Sequence, residues 1–349
     1  MARRTPTIDR SRILTQPARR RTSKVRTHDE ARPLESGASI AELLDSLPGL
    51  LGAADLNAAI DAWVRAWQRD RLVLFGFGAH LIKVGLAPIV VDLMERGAIG
   101  GLMMNGAGCV HDLELAMMGR TSEDVAESLD EGSFGMARET AERLNGAIAA
   151  GRADELGMGA AIGRDIFESK DRFAGRSVMA TAWRLEIPVT VHAAIGTDIH
   201  HMHPSADGAA IGETSFRDFE RLAGLVAGLQ DGVVLNVGSA VVLPEVFLKA
   251  LALARNLGHR VERITTVNCD FVRHYRPQRN IVERPTRVAG RGISLVGQHE
   301  VLIPLIAAGL IARYEAALRK PGRRSRKTSA KNSPRKGRGS RRRPGGKKK

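Results

Sequence analysis

The stretch Ile99-Gly-Gly-Leu-Met-Met104, running directly into Asn105-Gly-Ala-Gly108, sets the reading of the chain: a short apolar strand ends in a glycine turn, with a helical segment behind it. The same order stands upstream, where Leu72-Val-Leu-Phe-Gly-Phe77 is followed by Gly78 and an apolar helical segment from Gly85 to Arg96. Downstream, Ile187–Val191, Val233–Val237, Ile264–Val267 and Ile293–Val296 are further strand candidates. Helical stretches at about 175–184, 216–229, 244–257 and 300–318 separate or follow them. Strands apolar at nearly every position suit a sheet covered on both faces, and alternating strands and helices join by right-handed crossovers into parallel pairs. The fold expected is therefore α/β, a Rossmann-like doubly wound, mostly parallel sheet with helices on both faces. Thr121-Ser-Glu-Asp124 has the form of a capping box opening an amphipathic helix.

The charge is unevenly spread. Of 349 residues, 53 are Lys or Arg and 38 Asp or Glu, a formal +15. Residues 1–34 contribute +7 and residues 319–349 contribute +16, so residues 35–318 carry −8. The basic segments are too poor in apolar residues and too rich in like charge to fold, which divides the chain into a disordered basic arm (1–34), a folded domain (35–318) and a disordered basic tail (319–349). The tail has no aromatic residue to stack on bases, so only sequence-independent phosphate contact is open to it. The longest apolar stretch, Val233–Leu248, is interrupted by Asn236, Ser239, Pro244 and Glu245, and neither a membrane span nor a secretory signal is read. Cys109 and Cys269 lie in apolar runs, which suits a reducing compartment, and a cytoplasmic location is expected.

Sheets of this kind bind ligands outside the carboxyl ends of their strands. Glycine and polar clusters fall there repeatedly: Gly78-Ala-His80, Asn105–Gly108, Gly196-Thr-Asp198, Gly238-Ser239, Asn268-Cys-Asp270 and Gly297-Gln-His-Glu300. These are expected to converge on one pocket. His200-His201-Met202-His203 follows Asp198, with His192 upstream and His111 beside Asp112. Imidazoles neutral near pH 7 suit substrate binding or proton transfer, and His201 and His203 are the candidates. A zinc or iron site on His201, His203 and Asp198 is the alternative, but no second ligand cluster has metal-site spacing and HExxH is absent, so no metal is assigned.

Taken together, Gly78-Ala-His-Leu-Ile-Lys-Val-Gly85, Met104-Asn-Gly-Ala-Gly-Cys-Val-His-Asp112, Ile187-Pro-Val, Thr197-Asp198, Val267-Asn268 and Gly297-Gln-His-Glu300 before Val-Leu-Ile-Pro304 resemble the deoxyhypusine synthase family, in its bacterial-type branch. The resemblance covers roughly residues 70–312 and implies a homotetramer that uses NAD to oxidise a secondary amine of spermidine, passing an aminobutyl group through an enzyme lysine to an acceptor lysine. It implies that Asn105, Gly106, Ala107, Gly108 and Asp198 approach the phosphates and ribose of NAD, with Gly238, Asn268, Gln298 and His299 as further cofactor contacts. An amine substrate needs carboxylates, which the acidic body supplies; Asp112, Glu213 and Glu300 are the candidates, with Glu114 and Asp207 nearby in the sequence.

The departures matter as much. Residues 250–319 contain no lysine, and the stretch Val282–Ser294, where the family carries its transfer lysine, offers Arg284, Arg287 and Arg291. Arginine is too basic to act as a neutral amine nucleophile. The family's neighbouring tryptophan is missing, and Leu243-Pro244-Glu245 stands where its catalytic histidine is expected. Only Lys83, Lys170 and Lys249 remain in residues 35–318. Lys83, in apolar surroundings next to a strand end, is expected to be desolvated enough to form the imine or to contact cofactor phosphates. The expectation is an NAD-dependent transferase acting on spermidine or a related alkylamine, not by the standard deoxyhypusine route, with an acceptor lysine or small amine. The alternative is a non-catalytic or metal-dependent ligand binder recruited to nucleic acid or ribosomes by its tails.

Overall fold

A computed structural model describes residues 7–319. Six strands, β1 (Val73–Phe77), β2 (Gly101–Asn105), β3 (Val189–His192), β4 (Val233–Val237), β5 (Thr265–Asp270) and β6 (Arg291–Val296), make one all-parallel sheet in the order β3-β2-β1-β4-β5-β6. The doubly wound α/β fold read from the sequence is the fold found. The winding reverses between β1 and β4, whose registers pair Phe77 with Val237, so the topological switch point lies above Gly78 and Gly238.

Each strand divides its side chains between two cores by the two-residue period of a pleated strand. Leu74, Met103 and Val234 face one layer, packed on Leu222 and Val226 of helix Gly208–Ala227 and Phe247 and Leu251 of helix Val242–Asn256. Phe75, Leu102 and Leu235 face the other, which includes Ile60 and Trp63 of helix Leu51–Gln68 and Ile303 and Ile306 of helix His299–Arg319. Burying each such side chain is worth about 1.5–3 kcal/mol.

Several boundaries differ from those expected. The helix placed at Gly85–Arg96 spans Ala87–Glu95, because Gly85 has φ +80° and ends the preceding turn. Asp124, not Thr121, caps the short helix Val125–Asp130 by accepting from the amides of Ala126 and Glu127. Within helix His299–Arg319 an 18-residue window has a mean hydropathy of 1.7, so by length and composition alone the helix could cross a membrane. Here its inner face packs on the domain: Gly309 meets Leu44 and Ile60, Tyr314 stacks on Trp67 at 3.5 Å, and Arg313 bonds Asp61 at 2.8 Å.

In the N-terminal basic segment, residues 7–34 are almost all exposed. They touch the body where Arg32 N–H donates to the Ser46 carbonyl and Gly49 N–H to that of Asp29. The basic tail expected at 319–349 lies, beyond Arg319, outside the described residues.

Strand β3 is a sheet edge, and helix Gly208–Ala227 covers it. Asp218 accepts from the amides of Val191 at 2.9 Å and Gly159 at 2.8 Å, while Ser215 accepts from Ala193 N–H and donates to the Val191 carbonyl, both at 3.0 Å. Side chains thereby complete backbone groups that an unpaired edge would leave open.

Candidate active site

The carboxyl edge of the sheet carries two polar groups rather than the single pocket expected. The first surrounds helix Gly106–Met118, which begins as β2 ends. Asn105 caps this helix, its Oδ1 accepting from Gly108 N–H at 3.3 Å. Asp198 reaches over the helix start so closely that a Cβ on Gly106 would overlap its Oδ2. The helix start expected to face phosphate therefore holds a carboxylate of the chain itself. Burial pushes the Asp198 carboxyl up to about 6 against the opposing pull of the Ala107 amide. Its Oδ2 is buried without a hydrogen-bond partner.

The histidine run folds as a single 3₁₀ turn, Ile199–Met202, with its members in different environments. His201 Nδ1 accepts from Gly196 N–H at 3.2 Å, so in the neutral ring the proton sits on Nε2, 4.0 Å from Asp198 Oδ2. His200 is buried against His201 with both ring nitrogens unpartnered, and burial lowers it to about 4. His203 turns away and bonds Ser205 Oγ at 2.8 Å. Among the described residues no group of three or more His, Cys, Asp or Glu is arranged to hold a metal ion.

Asp198 and Ala107 line a cleft of about 470 Å³, together with Lys83, His111, Glu114 and Thr121. Apolar walls come from Val110, Met118 and Phe134. A slightly larger cavity of about 570 Å³ borders Ile187, Pro188 and Val189, at the amino end of β3 where this fold class does not seat its ligands. Lys83 corrects an expectation. Its apolar sequence neighbours Leu81 and Ile82 are buried, but its own side chain is exposed at the end of the one-turn helix His80–Lys83, and the desolvation expected of it is not found.

His111 and Glu114, three residues apart, share a face of helix Gly106–Met118. Thr121 joins them, its Oγ1 lying 2.7 Å from His111 Nδ1 and 2.5 Å from Glu114 Oε2. Glu114 Oε1 also accepts from Thr140 at 3.1 Å. Burial, and secondarily the charge of Lys83, lowers His111 to about 4. The i, i+3 spacing of His111 and Glu114 is the signal in the sequence for this pairing.

The carboxylates proposed for an amine fare differently. Asp112 is buried on the far side of the same helix, accepting from Ser177 Oγ at 2.6 Å and from the amides of Val178 and Met179, so it anchors helix Val178–Arg184. Glu213 is exposed and paired with Arg152 at 2.8 Å and Arg217 at 2.6 Å. Glu300 is exposed in the first turn of helix His299–Arg319, where the helix dipole favours an acid. None of the three lines the cleft.

The second group lies at the ends of β4, β5 and β6. His299 Nε2 donates to the Cys269 carbonyl at 3.2 Å, which leaves Nδ1 as an acceptor, buried and unpartnered. Its ring packs against His80 and Phe271. Gly238 has φ +66°, and a Cβ there would stand 2.7 Å from His299 Cε1. Gly238→Ala is expected to cost about 1–3 kcal/mol, from left-handed backbone and that contact together, checked by urea unfolding. Asn268 is committed to the sheet, its Oδ1 accepting from Asn236 at 2.7 Å, whereas Gln298 is exposed at the edge.

No protein-family model matches the chain, and no curated protein matches it in sequence. Solved structures resemble it at low identity. The arginine dihydrolase ArgZ of cyanobacteria is 18% identical over 79% of this chain, with a TM-score of 0.46. AgrE in complex with ornithine and NAD+ is 17% identical over 78%, with a TM-score of 0.48. The chain spans only 34% and 35% of those two proteins. A proposed deoxyhypusine synthase from Entamoeba histolytica is 11% identical, covered over 81% of this chain and 96% of its own, with a TM-score of 0.47.

Proposed function

We propose that this chain is an NAD-dependent enzyme acting on spermidine or a related alkylamine, by oxidation beside nitrogen and transfer of the resulting imine to an acceptor amine. The observation that carries the reading is Asp198: a carboxylate on the cleft wall, buried, with one oxygen left without a partner. An ammonium group is the natural complement of such an oxygen. The cleft's mixed walls suit the methylenes and charged ends of a polyamine.

The start of helix Gly106–Met118 is a poor phosphate site, because Asp198 already supplies the anion there. The switch point between β1 and β4, where Gly78 and Gly238 approach closely, is the place this fold class offers a dinucleotide. When bound, NAD would supply a hydride acceptor. The chain's own residues do the rest: Asp198 binds and orients the ammonium, and the apolar walls limit water. Arg284, Arg287 and Arg291 are exposed where the family keeps its transfer lysine, and the reading requires no enzyme–imine at that place. The homotetramer, the cytoplasmic location and tail contacts to nucleic acid belong to the same proposal.

Titration calorimetry with NAD, followed by NADH formation on a panel of polyamines, tests it. Micromolar NAD affinity and NADH release with spermidine are expected; absence of binding at millimolar NAD would refute the reading.

A further inference from the structure

Thr121 Oγ1 stands between a carboxylate and an imidazole, and its one proton can go to only one of them. A carboxylate accepts and never donates, so the hydroxyl proton points to Glu114 Oε2 at 2.5 Å. The hydroxyl oxygen must then accept from His111 Nδ1 at 2.7 Å, which places the ring proton on Nδ1 and the lone pair on Nε2. Glu114 is itself fixed, buried and held at its other oxygen by Thr140. The imidazole lines the same cleft as Asp198.

We propose that His111 is the proton acceptor of this cleft, held as the Nδ1–H tautomer by the Thr121–Glu114 relay so that Nε2 faces the substrate. The inference rests on the amine reading above. An ammonium bound at Asp198 holds its nitrogen lone pair in an N–H bond and cannot drive hydride loss from the adjacent carbon. Transfer of that proton to His111 Nε2 breaks the substrate N–H bond and forms an imidazole N–H bond. The products are a neutral amine and an imidazolium whose charge is felt by Glu114 through the Thr121 hydroxyl. Nothing is oxidised in this step. Burial, and after it the charge of Lys83 at the rim, disfavours the imidazolium, so it forms in passing and the proton is returned to a later intermediate. His111 is the catalytic residue; Thr121 and Glu114 are positioning residues.

Two measurements on the full-length protein test this. Long-range proton–nitrogen NMR on histidine-labelled protein, with His111 assigned through His111→Gln, should show the Nδ1–H form in the wild type. Thr121→Val should move it toward the Nε2–H form, and Thr121→Ser should restore it. With NAD and spermidine as probes, His111→Gln should lower NADH formation by about 100-fold or more while leaving NAD affinity unchanged. A wild-type Nε2–H tautomer, or a His111→Gln enzyme as fast as wild type, overturns the proposal. Failure of the wild type to bind NAD overturns the enzyme reading, and the relay is then judged by the tautomer alone.

Discussion

Asp198→Asn is expected to stabilise the protein above pH 6 while weakening its hold on spermidine. The carboxyl titrates near 6 when folded, from an ordinary 3.8, because burial penalises its charge. Below about pH 4 it is protonated in both states and folding is indifferent to it. As pH rises toward 6 the unfolded chain releases the proton and the folded one retains it, so native stability falls, and above 6 the deficit is constant at a ceiling of about 3 kcal/mol. The amide carries no charge and escapes this loss. Spermidine affinity should run the other way, rising in the wild type as pH passes 6 and the carboxylate forms, and falling about 10- to 100-fold in the variant at pH 8. Urea unfolding at pH 4 and pH 8, with calorimetry at pH 5 and pH 8, reads both effects. A variant less stable than wild type at pH 8, or one that binds spermidine equally well, would contradict the assignment of Asp198 as a strained ligand-binding carboxylate.

The second large effect is structural. Asp218→Ala should cost about 2–5 kcal/mol, because the amides of Val191 and Gly159 would both lose their acceptor in a buried place. Burial raises the Asp218 carboxyl to about 7, so its charge adds nothing to folding; what the fold uses is an oxygen. Asp218→Asn keeps that oxygen and should remain within about 1 kcal/mol of wild type. Urea midpoints distinguish the two substitutions, and hydrogen exchange at Val191 should accelerate in the alanine variant alone. Equal loss in both would mean that the ionised form is needed.

The sheet was legible because most of its strand positions are buried and its strands read as short, mainly apolar runs close to glycines. Val233–Val237 coincides with its strand to the residue, whereas β6 begins at Arg291, two positions before its apolar part, because it is an edge strand with exposed positions. The position of Asn105, Gly106 and Asp198 at strand ends followed from the same pattern; the helix that begins at Gly106 and the closeness of Gly106 to Asp198 did not. Direction did not follow either. The spacing His111-Asp112-Leu113-Glu114 does not say which side of the helix meets the cleft, and Asp112 went to the buried side while His111 and Glu114 faced the opening. Thr121 looked like a helix cap in sequence and is a bridge in space, because Asp124 took the cap. Lys83 was misjudged since two buried neighbours imply nothing about a long side chain that can reach water.

The geometry of the last helix bears on what the basic termini could do. His299 stands at the carboxyl rim of the sheet, and 21 helical residues carry the chain about 30 Å away from it before Arg319. Leu44, from the helix that follows the basic N-terminal segment, packs on Gly309 midway along that rod. The N-terminal segment is thus moored through its following helix to the same strut whose far end, Arg319, lies remote from the rim of the sheet. A label or fusion joined at Arg319 would therefore sit far from the cleft and leave its mouth open.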